Sequence, residues 1–204
     1  MSFSIRHLVA DFPWRLTAIY FPFAGAAVIF ANDNILEIQS QTGDSMSPAL
    51  APTFHETGSR DKLAILHYNP FFNLRSEVKR GQIVSFWAPH DPEKLLVKRV
   101  IATEGDTVVV DKRRDRSVGE WARVVEGEGR IKVPFGHVWV EGDNWRKSKD
   151  SNDYGPVSKA LLVGKVVAVV WPPTRVGWVE GEAWKGRTKV IPGKEERPAM
   201  WLNE

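Results

Sequence analysis

The sequence predicts a mainly β protein: an antiparallel sheet domain preceded by one N-terminal transmembrane helix. Two observations carry this. From Ile35 onward the hydrophobic pattern comes in strand-length runs separated by turn residues, with no alternation of strand and helix periods. Ahead of those runs lies an uncharged stretch, LTAIYFPFAGAAVIFA, between Arg15 and Asn32. With 204 residues, 43% of them hydrophobic, the chain has enough apolar material for one core of ordinary domain size.

The uncharged stretch comes first. As a helix rising ~1.5 Å per residue it reaches roughly 24 Å, short of a ~30 Å hydrocarbon core. Trp14 and Arg15 can seat at one interface, and Asn32, Asp33 and Asn34 make a polar exit at the other. Three readings fit this segment: a permanent anchor over 16–33, a signal peptide cleaved near Ala24-Gly25-Ala26, or a buried core helix. Under the anchor reading, Arg6 and Arg15 against the single acid Asp11 hold residues 1–15 on the electronegative side and send the remainder across.

The strand candidates follow in order: ILEIQSQ (35–41), KLAILHY (62–68), QIVSFWA (82–88), KLLVKRVIA (94–102), DTVVVD (106–111), HVWVEG (137–142) and GKVVAVVW (164–171). Prolines fall between these runs or at their ends, as a sheet requires. Only Ser158–Val163 hints at a short helical element. The charged stretch 112–130 reads as an excursion from a β domain that covers 35–175. Residues 176–204, rich in Gly, Lys and Glu, read as a tail with isolated tryptophans.

Composition removes several function classes. The net charge is only +3, and the basic residues form no long run of the kind that tracks a phosphate backbone, so nucleic acid is not an expected partner. The absence of cysteine excludes disulfides, thiolate catalysis and cysteine-ligated zinc. The five histidines are scattered without ligand spacing, so no metal and no other cofactor is expected.

Chemistry concentrates at a few points. In TGDSMSPAL (42–50), glycine and proline bracket Ser45 in a tight turn that presents a hydroxyl. The flank is neither the Gly-Asp-Ser-Gly-Gly of chymotrypsin-like enzymes nor a GxSxG elbow. Without a triad, a serine needs another base, and a desolvated lysine supplies one. In 94–106, period-two alternation places Leu96, Lys98, Val100 and Ala102 on one strand face. Burial there lowers the lysine pKa; a fall from ~10.4 to about 8 costs roughly 3 kcal/mol, which a domain worth ~5–15 kcal/mol tolerates. Periodicity alone equally fits a lysine snorkelling at a sheet edge.

Three ordered boxes resolve that tie. Ser-Met-Ser-Pro (45–48), KRVIATEGD (98–106), and Gly142-Asp143-Asn144 followed by SKDSNDYGPVS (148–158) resemble the successive motifs of type I signal peptidases, the membrane-bound serine–lysine proteases. The DSN-x-Tyr-Gly-Pro-Val-Ser wording, the segment ending FANDN and the closing VVWPPTR (169–175) are similar to the subunit 2 branch of the mitochondrial inner membrane protease. The resemblance covers roughly residues 12–175.

The resemblance implies Ser45 as nucleophile, Lys98 as general base and Ser148 as the hydroxyl that orients the lysine amine. It implies Asp150 as a structural aspartate, with Gly142, Asp143 and Asn144 shaping the adjoining strand end and Met46 and Pro48 setting the serine turn. It further implies cleavage of sorting or signal sequences from precursor proteins delivered to the intermembrane space. A single-pass position in the inner membrane's lipid bilayer and a hetero-oligomer with a related catalytic subunit come with it. An inactive scaffold subunit of such a complex is the alternative. A self-cleaving repressor-like protein would need a helical DNA-binding domain, for which the first 34 residues are too few and too apolar. Two departures stand out. Gly43 occupies a position where bacterial members often carry a serine that completes the oxyanion hole, and Asn152 replaces the arginine of the bacterial Asp-Ser-Arg, which removes an expected ion pair.

Overall fold

The computed structural model describes residues 14–52, 58, 60–68, 78–110, 129–179 and 188–194. The expected excursion at 112–130 therefore lies outside the described residues but for its last two, as do the N-terminal 13 residues.

Helix α1 (Trp14–Asn34) carries Pro22 inside it and ends in the polar Asn32-Asp33-Asn34, where Asn34 Nδ2 donates to the Phe30 carbonyl. Its side chains are described from Tyr20, and Tyr20, Phe21, Phe23, Val28, Ile29 and Phe30 are all exposed. Among the described residues no helix is long and apolar enough to cross a membrane, so the spanning anchor expected over 16–33 is not shown. The polar last turn and Pro22 shorten the apolar part of this helix.

The chain passes directly into β1 (Leu36–Ser40), which forms a hairpin-like pair with β2 (Lys62–His67). Next come β3 (Ile83–Ala88), β4 (Asp91–Thr103), β5 (Thr107–Val109), β6 (Arg130–Lys132) and β7 (His137–Glu141). A single helical turn α2 (Ser151–Tyr154), β8 (Val157–Ser158) and β9 (Leu162–Trp171) follow, then β10 (Gly177–Trp178) and β11 (Lys189–Ile191). The main sheet has the order β1-β2-β9-β3-β4-β7-β8, with β10 on β9, and a second sheet has the order β11-β5-β6. Every pairing is antiparallel, as expected of a mainly β domain.

The helical hint at 158–163 is a 3-10 turn at Lys159–Leu161, capped by Ser158. The chain beyond residue 175, read as a tail, supplies β10 and β11 to the two sheets. Pro92 lies inside β4, not between runs. It sits where residues 92–94 have no partner in β3, because Trp87 pairs with Leu95 and Ala88 with Asp91, so no ladder N–H is lost there.

Two apolar clusters flank the central strands. Val84, Phe86, Val100, Val138, Val140 and Val157 form one, and Met46, Leu50, Leu63, Ile65, Ile83, Val97, Val166 and Val169 the other. Both faces of β4 are thus buried from Val97 to Ala102. The even-numbered face of β4 joins the first cluster through Leu96 and Val100, on either side of Lys98, which pairs with Val84. Ala102 does not share that face. A bulge between Val100 and Ala102 sets Val100 against Val140 but Ala102 against Trp139, and Ala102 packs with Ile101, Val108 and Trp139 in a third cluster.

Candidate active site

The turn that carries Ser45 follows β1 and is fixed at several points. Gly43 opens it at φ 95°, a left-handed conformation that glycine adopts without strain. The peptide between Ser47 and Pro48 is cis. Met46 is fully buried in the second cluster, and burying a side chain of that size contributes ~1.5–3 kcal/mol. Its neighbour Ser45 is half-buried, while Pro48 is exposed. The apolar anchor on one side and the polar residue beside it orient the turn, so the sequence order Ser-Met sets which residue faces inward.

The second component is the segment after β7. Gly142 continues the strand, and a Cβ at this position would overlap both the Ser148 Oγ and the Ser45 carbonyl oxygen. Only glycine lets the three segments approach this closely. The Asn144 N–H donates to the Ser45 carbonyl at 3.0 Å, and Lys147 Nζ pairs with Asp44 at 2.7 Å, so this segment grips the turn on both sides of the serine. Ser148 Oγ is buried and, among the described residues, has no hydrogen-bond partner.

Asp150 is the organiser of this segment. Its side chain accepts from Gly142 N at 3.0 Å, from Asn152 N at 3.2 Å and from Asn152 Nδ2 at 2.7 Å, while Asp153 reciprocates on the Asp150 N–H in a capping box. Ser151 Oγ accepts from Val140 N and ties α2 to β7. Asn152 also donates to the buried Glu141, which accepts from Trp139 Nε1 and Thr188 Oγ1 as well. The departure at Asn152 thus removes an ion pair but leaves no acceptor empty, since a neutral amide serves both carboxylates. A different buried pair stands next to it: Arg99 holds Asp143 with two bonds, at 2.9 and 2.7 Å, and donates to the Gly81 carbonyl.

Lys98 is 3% exposed. Burial pushes its ammonium down from 10.5 to about 8, against the opposing pull of Asp150; Lys94 adds to the lowering, and Asp143 and Asp153 oppose it more weakly. Asp150 connects the lysine to this segment: its charge is the largest of those acting on Lys98, and its carboxylate accepts from Gly142 N, the residue whose open side Ser148 Oγ and the Ser45 carbonyl fill.

All nine residues singled out in the sequence are thereby accounted for. Ser45, Lys98, Gly142, Asn144, Ser148 and Asp150 converge; Asp143 faces Arg99; Met46 is a buried anchor, and Pro48 completes the turn. Sequence reading missed the Arg99 pair with Asp143 and the separate network of Glu141 with Asn152, Trp139 and Thr188. The adjacency of Lys98 and Arg99 in a strand was the available signal, since alternation sends the two to opposite faces. Gly43 has more than an absent hydroxyl: at its positive φ, a serine would be strained.

The fold is thus an antiparallel β domain with a buried, pKa-lowered lysine and a serine turn held by the segment after β7. The chain belongs to the signal peptidase, peptidase S26, family, which matches residues 14–119 and 111–171. It is 36% identical to the mitochondrial inner membrane protease subunit 2 of Mus musculus over 85% of this chain and 83% of the relative. It is 32% identical to the protein of the same name from Schizosaccharomyces pombe over 82% of each chain. The mitochondrial inner membrane protease subunit 1 of Schizosaccharomyces pombe is 31% identical over 69% of this chain and 77% of the relative. The names of the first two relatives agree with the subunit 2 branch to which the Asp150-Ser151-Asn152 wording points.

Proposed function

We propose that the chain is a serine endopeptidase in which Ser45 is the nucleophile and Lys98 the general base. It removes sorting or signal sequences from precursors delivered to the intermembrane space. The observation that carries this reading is the convergence at Gly142. Lys98, brought to about 8 by burial, lies in the field of Asp150, which binds Gly142 N, and the open side of that glycine is filled by the Ser45 carbonyl and the Ser148 hydroxyl.

The reaction runs in two halves. Neutral Lys98 takes the Ser45 proton as Oγ attacks the scissile carbonyl, and then returns it to the leaving amine; water deacylates the enzyme with Lys98 again as base. Ser148 Oγ, which has no bond among the described residues, is left to accept from the amine when that turns toward Ser45, and so fixes its direction. The Ser45 N–H supplies one oxyanion donor. An extended substrate pairs with the free edge of β1, whose Leu36 and Ile38 are exposed and which lies next to both α1 and the serine turn.

Helix α1 tethers the domain to the inner membrane, in keeping with its exposed aromatic and aliphatic side chains and with the names of the relatives. The subunit names of those relatives support a complex with a related catalytic subunit. Carbonate extraction tests the tether: the chain stays with the membrane pellet, and release into the supernatant counts against it.

The catalytic reading is tested with Lys98→Met in the full chain. Precursor cleavage is lost, and kcat/KM of the wild type rises with pH to a plateau, with an acidic limb near 8 as Lys98 becomes neutral. Retained cleavage in Lys98→Met refutes the Ser/Lys mechanism.

A further inference from the structure

We infer that Asp61 and Arg175 are positioning residues for the nucleophile, acting as a clamp at the base of the serine turn; this rests on the reading of Ser45 as nucleophile. The closing VVWPPTR motif has no role in the chemistry above, yet its arginine reaches the serine turn at Ala49 across 126 residues.

The geometry is specific. The Asp61 carbonyl accepts from Gln41 N at 2.8 Å, where the chain leaves β1 for the turn. The Asp61 carboxylate accepts from Ala51 N at 2.7 Å, where the chain leaves the turn. One residue thus ties both ends of the 41–51 loop. Arg175 Nη1 holds the same Asp61 oxygen at 2.5 Å, and Nη2 donates to the Ala49 carbonyl at 3.3 Å.

The clamp acts against strain. Ala51 sits at φ 46°, an unfavourable conformation for a residue with a side chain, and its N–H is the one held by Asp61. Asp61 is 1% exposed, so its charge requires a partner, and Arg175 provides it. Without Arg175 the carboxylate seeks water and the 49–51 corner loses its hold. The turn then samples positions in which Ser45 no longer meets Lys98. Because neither residue touches the lysine, and neither is among the charges that shift it, the clamp acts on the serine's position and not on the base.

The experiment uses the full chain with Arg175→Met, measuring cleavage of a precursor that the wild type processes and amide exchange by mass spectrometry. The expected result is a kcat lowered at least tenfold with KM within about twofold and the acidic limb still near 8, together with at least tenfold faster exchange in 41–51 and unchanged exchange in β3, β4 and β7. Asp61→Asn, which keeps an acceptor for Ala51 N but loses the charge, gives a smaller change in the same direction. The double variant is no worse than Arg175→Met.

Wild-type kcat and exchange in Arg175→Met overturn the clamp, as do faster exchange across the whole sheet or additive losses in the double variant. If Arg175→Met does not fold, the clamp is overturned unless Asp61→Asn folds and shows the local signature. Cleavage that survives in both Ser45→Ala and Lys98→Met sinks the catalytic reading instead, and leaves the exchange result to judge the clamp as a structural tie.

Discussion

Replacing Lys98 by methionine removes a charged group from a site that disfavours charge, so the variant is more stable than the wild type over a defined pH range. The folded-state pKa of about 8 lies below the ordinary 10.5 because burial penalises the ammonium more than Asp150 favours it. At ~1.4 kcal/mol per pH unit, that fall corresponds to about 3 kcal/mol. The sign follows from proton counts. Between about 8 and 10.5 the unfolded chain holds the proton and the folded chain does not, so wild-type stability rises with pH across that window. Below about 8 both states are protonated and the folded state bears the whole cost. Methionine is unbranched and apolar, and Asp150 keeps its donors on Gly142 and Asn152. Lys98→Met therefore gains up to about 3 kcal/mol below pH 8, and the gain fades towards zero above 10.5. Urea unfolding of the detergent-solubilised full chain at pH 6.5, 8, 9.5 and 10.5 measures this, provided the slope m is unchanged. A variant no more stable than wild type at pH 6.5, or a difference that does not shrink by pH 10.5, refutes the argument that burial sets the base.

Two further variants separate stability from activity. Ser148→Ala deletes a buried hydroxyl that has no partner among the described residues, so its urea midpoint stays level or rises, while precursor cleavage falls at least tenfold because the amine loses its guide. Gly142→Ala does the opposite to the frame. Its Cβ overlaps the Ser45 carbonyl and Ser148 Oγ, so it costs about 1–3 kcal/mol and abolishes detectable cleavage; near-wild-type cleavage would mean that the approach at Gly142 has no part in catalysis.

What was legible in the sequence followed from short-range pattern. Alternation placed Lys98 on an apolar face and in line with Val100, and turn chemistry placed Ser45 between Gly43 and Pro48. The two-residue strands β8 and β10 and the three-residue β11 were not legible, because segments that short have no period of their own and are strands only by virtue of their partners. The bulge at residue 101 was equally hidden, and it moved Ala102 off the lysine's face. The ties that build the site join residues far apart in the chain, such as Asn144 to Ser45, Thr188 to Glu141 and Arg175 to Asp61. No local pattern encodes such a tie, because each depends on where two strands end in space.

Asn152 shows how the network sets the base as well as the frame. Asp150 accepts from the Gly142 N–H and from the Asn152 N–H and amide, all neutral donors, and its charge is the largest influence opposing burial at Lys98. A guanidinium in place of the Asn152 amide would satisfy the same carboxylate but cancel most of its field at the lysine. It would also add a positive charge to a region that already penalises one. Both effects push the lysine further down. With asparagine at 152, the folded state holds Lys98 near 8, where, under the proposed mechanism, a general base is neutral for a substantial fraction of molecules just above neutral pH and still basic enough to take a serine proton. The departure that removes an ion pair from the frame therefore preserves the balance at the base.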